Sequence, residues 1–149
     1  MHASIRKVMS ANDVGKTASH QAGMLIPKDP AILGFFPKLH KADYNPRQVI
    51  RFEDEAGQFW EFAFIWYNNS LHKRDGTRNE YRLTRMTKYL TGLQLEAGDS
   101  VRLEHDGDDY RIFAERAGDV DSSSQTQASG MSGEQFRLKL TGGWVVVNI

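Results

Sequence analysis

The chain has 149 residues, no cysteine, and equal numbers of basic and acidic residues, 19 of each. This length suits one domain with a substantial core, and the lack of cysteine excludes disulfide scaffolds, thiolate metal sites and cysteine nucleophiles. The N-terminus has no signal-peptide pattern and no segment approaches the roughly 20 apolar residues that span a bilayer, so we expect a soluble cytoplasmic protein.

Short runs of alternating apolar residues predict a chain built mainly of strands. These runs lie at Ser4–Met9, Met24–Ile26, Val49–Glu53, Gln58–Tyr67, Glu80–Arg85, Val101–His105, Tyr110–Ala114, Phe136–Leu140 and Trp144–Ile149. Turn-forming residues at 54–57 and 106–109 predict hairpins. Asp29 and Pro30 predict the start of a short helix that continues through residues 31–36, and Thr87–Leu93 favours a second one. Segment 118–133, rich in Ser, Gln, Gly and Asp, predicts a flexible surface loop.

We expect seven or eight short strands and two short helices to form a small closed or half-closed barrel, as a single domain over residues 1–149. The predicted core consists of Ile5, Val8, Leu25, Ile32, Val49, Phe52, Phe62, Phe64, Trp66, Leu83, Val101, Leu103, Ile112, Phe136, Leu138, Trp144 and Val146. Aromatic residues at strand spacing belong to a core far more often than to a ligand platform. Only a loop aromatic such as Tyr81 is therefore a candidate contact.

The stretch from Gly76 to Arg85 places base-reading side chains on a turn that leads directly into a strand. Arginine can bond bidentately to guanine, asparagine to adenine, and glutamate can accept from the cytosine amino group. Sequence-specific binding of double-stranded DNA is one interpretation of this stretch. The alternative is a solvated charged hairpin in which Glu80 and Arg82 pair with each other.

The neutral total charge conceals a strong segregation. Residues 1–50 and residues 73–88 each carry a charge of +4, whereas residues 96–121 carry −6. A chain divided in this way can present a positive face to phosphate and keep an acidic face elsewhere. The charge distribution is therefore compatible with a nucleic-acid partner.

The polar connection at residues 10–21 contains Gly15-Lys16-Thr17, which invites comparison with a phosphate-binding loop. That motif needs a glycine where this chain has Ser10, and a helix after Thr17. The common nuclease motifs are also missing, because no Asp or Glu is followed two residues later by Lys and no His-x-Lys occurs. The five histidines include no close pair suited to zinc. We expect no catalytic residues, metal or cofactor in this chain.

Two clusters of residues carry a family resemblance. The first consists of Ser10, Ala11, Asn12, Asp13, Gly15, Thr17, His20, Gln21, Gly23, Ile26 and Pro27, and the second of Tyr67, Asn68, Thr77, Arg78, Asn79, Glu80, Arg82, Thr84 and Arg85. In this order and separation they closely resemble the N-terminal effector domain family of the restriction endonuclease EcoRII. The resemblance covers about the first ninety residues well and the remainder only in pattern. Residues 95–101 also look like the helix-to-strand junction of the related plant B-three domains.

The resemblance implies a mostly β fold, an open DNA-binding pseudobarrel, from which two arms enter the major groove without cutting. It also implies a bacterial restriction-modification system and the site CC(A/T)GG or a related G·C-rich sequence. A nuclease domain in the same full-length protein would be a partner, and any Mg²⁺ would belong to that domain. DNA contact is implied for Lys16, Thr17, His20 and Gln21 in the first arm (residues 10–21), and for Lys73, Arg74, Arg78, Asn79, Glu80, Tyr81, Arg82 and Arg85 in or beside the second arm (residues 68–82).

Three positions depart from the family pattern. A contacting tyrosine is replaced by Leu25, and two lysines are replaced by Gly76 and Tyr81. The loss of two cations predicts weaker phosphate binding or one altered base preference. Two other functions remain open: a nuclease or nucleotide hydrolase in its own right, and a barrel that binds RNA or protein.

Overall fold

The computed structural model describes residues 2–14, 23–117 and 143–148. The strands are β1 (His2–Val8), β2 (Met24–Ile26), β3 (Arg47–Glu53), β4 (Phe59–Tyr67), β5 (Glu80–Thr84), β6 (Ser100–Asp106), β7 (Asp109–Glu115) and β8 (Trp144–Asn148). The helices are α1 (Pro30–Leu33), α2 (Asn69–His72) and α3 (Thr87–Gly92). The predicted loop at 118–133 and the predicted strand Phe136–Leu140 lie outside the described residues.

The eight strands form a single sheet in the order β2-β5-β4-β3-β7-β6-β1-β8. Both predicted hairpins are present, because β3 pairs antiparallel with β4, and β6 pairs antiparallel with β7. The two halves of the sheet are joined by a short parallel pairing of β3 with β7, limited to Phe52 with Tyr110 and Glu53 with Arg111.

A side-chain hydrogen bond brings the two ends of the sheet together. The indole nitrogen of Trp144, on β8, donates to the backbone carbonyl of Leu25, on β2, over 2.9 Å. The two edge strands do not pair with each other through their backbones. The sheet is therefore an open pseudobarrel, and the predicted fold class is confirmed.

The core follows the period-two alternation of the strands. Eleven predicted core residues are buried: Ile5, Ile32, Phe52, Phe62, Phe64, Trp66, Leu83, Val101, Leu103, Ile112 and Trp144. Val146 is partly buried, whereas Phe136 and Leu138 lie outside the described residues.

Three core predictions were wrong, because each one selected the opposite face of a strand. Val8, Leu25 and Val49 are 40%, 48% and 44% exposed. Their neighbours in the chain, Met9, Met24, Ile26 and Ile50, are buried in their place. A shift of one residue moves a side chain to the other face of the sheet.

The helices differ from expectation in two respects. The first and last begin where the sequence predicted them, and the Asp29 side chain caps α1 by accepting from the Ala31 amide over 2.9 Å, but α1 ends at Leu33 rather than at residue 36. The one-turn helix α2 was not predicted, because residues 68–82 resemble an irregular polar connection. Among the described residues, no helix is long and apolar enough to cross a membrane.

Candidate nucleic-acid interface

The second arm is a folded connection, and the side chain of Asn69 holds it closed. Asn69 accepts a hydrogen bond from the Arg78 amide over 2.7 Å, and the Ser70 amide donates to the Arg78 carbonyl over 3.0 Å. The chain thus closes on itself between the start of α2 and the start of β5. Gly76 is required at this closure, because a Cβ atom there would collide with the backbone carbonyl of Asn69. The lysine of the family pattern does not fit this conformation.

Three charged side chains meet where the arm joins β5. One carboxylate oxygen of Glu80 lies 3.3 Å from a guanidinium nitrogen of Arg78 and 3.2 Å from one of Arg82. The guanidinium carbon of Arg78 also lies 3.9 Å from the centre of the Tyr67 ring. The pairing of Glu80 with Arg82, offered as the alternative to base reading, is therefore present. Each arginine has five N–H donors, so the shared carboxylate orients both groups and leaves donors for a ligand.

The surroundings of Glu80 keep its carboxylate ionised. Partial burial by itself raises the pKa of Glu80, but the hydrogen bonds and positive charges of Arg78 and Arg82 outweigh burial and lower the pKa below its ordinary value. The triad consequently carries two positive charges and one negative charge at neutral pH. It offers both a cationic donor and an anionic acceptor on one surface.

Asn79 and Tyr81 are positioned by the neighbouring strand. The Trp66 indole nitrogen donates to the Asn79 side-chain oxygen over 2.9 Å. This bond fixes the orientation of the Asn79 side chain, and the residue is exposed. Tyr81 stacks on Trp66 with ring centres 5.2 Å apart, and it lines an apolar groove of about 400 Å³ together with Leu33 and Phe36. The description of Tyr81 as a loop aromatic was wrong, because this residue lies within β5. Strand alternation places its ring on the face opposite to Glu80 and Arg82.

The other predicted residues of this arm are exposed cations. Lys73 and Arg74 follow α2, and Arg85 follows β5 with a φ of +66°. The structure brings together Arg78, Glu80 and Arg82. It does not bring Arg74 or Arg85 into that contact.

The predicted contacts of the first arm, Lys16, Thr17, His20 and Gln21, lie outside the described residues. The start of this arm is held by a buried ion pair between Lys7 and Asp13, which are 5% and 4% exposed. The Asp13 carboxylate also accepts from the Ser10 amide over 2.9 Å, and the Gly23 amide donates to the Asp13 carbonyl over 3.2 Å. Lys7 was not among the residues predicted from the sequence, in which its only signal is a lysine at an inward position of a strand.

The two arms join the sheet near opposite ends of β5. A Cβ atom on Gly23 would lie 2.6 Å from the carbonyl of Leu83, so the first arm returns beside the C-terminal end of this strand. The second arm enters at Glu80, the N-terminal end. At a rise of about 3.3 Å per residue, these ends are about 13 Å apart.

The outer face of the sheet between the arms carries Leu25 and Arg82. These residues are direct partners across β2 and β5, and Arg82 is in turn opposite Ile65 on β4. Leu25 is 48% exposed, so its replacement of a family tyrosine changes the surface between the arms.

The acidic segment lies away from this face. Strands β6 and β7 carry most of the acidic residues between 96 and 117, and β4 and β3 separate them from β5 in the sheet. Some of these acids are neutralised locally, as in the pairs of Glu104 with Arg102 and of Glu115 with Arg6. The acidic segment and the basic segment 73–88 are therefore also separated in space, whereas Arg6 of the basic segment 1–50 lies beside the acidic strands.

Comparisons with known proteins agree with this architecture. A B3 domain-containing protein of Arabidopsis thaliana is 32% identical over 125 residues, which cover 80% of this chain and 46% of the relative. The B3 domain-containing transcription factor NGA2 of the same plant is 29% identical over 103 residues, which cover 67% of this chain and 30% of that protein. The chain thus spans less than half the length of these relatives.

A solved structure, the Arabidopsis FUS3-DNA complex, shares the fold with a TM-score of 0.56 and 23% identity, covering 75% of this chain and 95% of that chain. The family model described as "Restriction endonuclease EcoRII, N-terminal" matches residues 2–102. Because this match covers more than half of the sequence, the chain belongs to the EcoRII N-terminal domain family.

Proposed function

We propose that this protein binds double-stranded DNA sequence-specifically through the face that carries the Arg78–Glu80–Arg82 triad. The observation that carries the proposal is the shared carboxylate, which orients two arginine groups at the edge of an arm. Such preorganisation reduces the entropy lost when long side chains bind a ligand. The family membership and the DNA complex of the structural relative support the same function.

The spacing of the arms supports binding in the major groove. The two ends of β5 are about 13 Å apart, and the major groove of B-DNA is about 12 Å wide. Two arms with this separation can contact the edges of several successive base pairs while the outer face of β2 and β5 lies between them.

The chemistry of the triad favours G·C pairs. Arginine is the commonest bidentate partner of guanine, and a carboxylate can accept from the cytosine amino group. Two arginines and one glutamate suit a site such as CC(A/T)GG or a close relative. Of the three departures from the family pattern, Leu25 and Gly76 are the positions at which the preference would diverge from that sequence, because Tyr81 lies on the opposite face of the sheet.

The family description supports a role as the effector or target-recognition part of a type IIE restriction endonuclease. In that role the chain reads DNA and a nuclease domain of a longer protein cuts it. The plant relatives, which carry a similar domain in chains more than twice as long as the matched part, show that such a domain can be combined with other segments.

Selection of duplexes from a randomised pool, followed by fluorescence anisotropy on the selected site, tests this function. We expect one G·C-rich site with at least about 1,000-fold preference over random duplex at physiological salt. Equal affinity for all duplexes would contradict the proposal, as would displacement of duplex by single-stranded RNA. Cleavage of plasmid by this chain alone in Mg²⁺ would instead support the nuclease function.

A further inference from the structure

A turn outside the two arms is held rigidly against the second arm. Asn68 is fully buried, and its side-chain oxygen accepts from the backbone amide of Asn45 over 2.8 Å. The backbone amide of Asn68 in turn donates to the side-chain oxygen of Asn45 over 3.0 Å. The Asn68 side chain also donates to the Asp43 carbonyl over 2.8 Å. Asn45 has a φ of +47°, in the left-handed region. Three hydrogen bonds therefore fix residues 43–45 at the start of α2.

This turn presents Tyr44 to a cation of the second arm. Tyr44 is 49% exposed, and the Lys73 ammonium lies 5.1 Å from the centre of its ring. The His72 ring meets the same tyrosine edge-on, with ring centres 5.9 Å apart. A cation–π contact of this kind limits the freedom of the lysine, and the N–H groups that point away from the ring stay available to an anion.

The turn also continues the outer face that carries the triad. Arg47 begins β3 immediately after the turn and is exposed. Arg47 and Arg82 are both direct partners of Ile65, so the two arginines lie on the same face of the sheet. The positive surface therefore extends from β5 across β4 to the turn at Tyr44, beyond the two arms.

We propose that Tyr44, Arg47 and Lys73 form a third DNA-contacting element, which binds backbone phosphates of duplex DNA beside the recognition site. The inference rests on the proposed function and adds Tyr44 and Arg47, which lie outside both arms, to Lys73, which the family resemblance already implies as a contact of the second arm. The partner chemistry follows from the charges, because the two cations offer only hydrogen-bond donors and the phenolic hydroxyl can donate as well, which suits the acceptor oxygens of phosphate. The element reads no base, so it increases affinity without changing the preferred sequence.

The experiment measures the affinity of the full chain for its selected site in duplexes with flanks from a few base pairs to one helical turn, over a range of salt. Wild type gains affinity as the flank lengthens. Lys73→Met and Tyr44→Ala each reduce this gain, and each lowers the slope of log K against log salt by about 0.9, the value for one phosphate contact. Tyr44→Phe keeps the ring over Lys73 and retains most of the slope. The double variant Tyr44→Ala with Lys73→Met loses no more than either single variant, because both remove the same contact.

Phe59→Ala is the matched control. Phe59 is an exposed aromatic residue, 55% exposed, with the Arg51 guanidinium 4.2 Å from its ring, at the opposite end of the β3–β4 hairpin. We expect this variant to keep the wild-type slope and flank dependence. If Tyr44→Ala and Lys73→Met both bind the site with the wild-type slope and flank dependence, the proposal of a third element is wrong and the proposed function stands. No specific binding by wild type would overturn both.

Discussion

At the scale of single residues, the candidate site depends on how one carboxylate is shared. Glu80 lies between Arg78 and Arg82, at 3.3 and 3.2 Å. Alternation along β5 directs the side chains of Glu80 and Arg82 to one face and Tyr81 to the other. The same alternation explains why a sequence of consecutive polar and aromatic residues does not present all of them to one ligand.

Replacing Arg78 or Arg82 by alanine should cost about 1–3 kcal/mol of binding free energy on the selected site, because in the proposed complex each is a bidentate partner of guanine. The affinity of each variant for random duplex should be almost the same as that of wild type. Fluorescence anisotropy on both duplexes measures the difference, and Arg111→Ala on the acidic side of the sheet is the control. Equal losses on both duplexes would show that these arginines contact phosphate only.

The Glu80 carboxylate should contribute to folding stability only above acid pH. Its pKa is lower in the folded chain than the ordinary value of 4.5, so the unfolded chain takes up the proton first as the pH falls. The stabilisation is present above pH 4.5 and is lost as the pH falls through the lowered pKa. Because the side chain is 32% exposed, we expect less than about 1 kcal/mol. Urea unfolding of wild type and Glu80→Gln across this pH range measures the difference between their free energies of unfolding. A difference that does not change with pH would contradict the predicted contribution of the carboxylate.

At the scale of elements, polar groups that are buried or half-buried fix the start of each arm. Asn68 and Asn69 organise the second arm, and Asp13 organises the start of the first. Burial of such groups is favourable only when their hydrogen bonds are satisfied. These residues therefore set where an arm begins and how it is directed.

Breaking the buried ion pair below the first arm should destabilise the fold strongly. Lys7→Met leaves the Asp13 charge buried without a partner, which costs about 3–5 kcal/mol. Lys7→Met combined with Asp13→Asn should recover part of this loss, because asparagine is neutral and can still accept from the Ser10 amide. Urea denaturation of wild type, of Lys7→Met and Asp13→Asn separately, and of the double variant gives the coupling free energy. Additive losses would show that the two residues act independently.

At the scale of the whole molecule, the open sheet is closed by a side chain rather than by strand pairing. Trp144 is fully buried and donates to the Leu25 carbonyl. This contact joins β8 to β2, the strand that follows the first arm. The geometry of the candidate interface consequently depends on a residue 119 positions away in the chain.

Trp144→Phe should lower the free energy of unfolding by about 1–3 kcal/mol, since it leaves the Leu25 carbonyl without its hydrogen-bond donor. Trp60→Phe is the matched control: it removes an indole bond to the Asp54 carboxylate, which is 2.9 Å long and lies at a hairpin turn. Water can replace that donor, so its loss should be smaller. Chemical denaturation of both variants makes the comparison. A larger loss for Trp60→Phe would contradict the closing role of Trp144.

The sequence by itself determined the strand-rich fold class, both hairpins and the family. These features depend on local alternation, turn residues and short motifs, which act between near neighbours. Only the tertiary structure decided which face of β1, β2 and β3 is buried, as Val8, Leu25 and Val49 show, because a run of consecutive apolar residues does not specify which of its members point inward. The fixed position of Tyr44 likewise depends on contacts between segments more than 20 residues apart. The Lys7–Asp13 pair and the closure of the arm at α2 depend on the way the chain turns back on itself over six and nine residues. The physical reason is the same in each case: buried polar groups are satisfied by partners that the fold, not the local sequence, brings within reach.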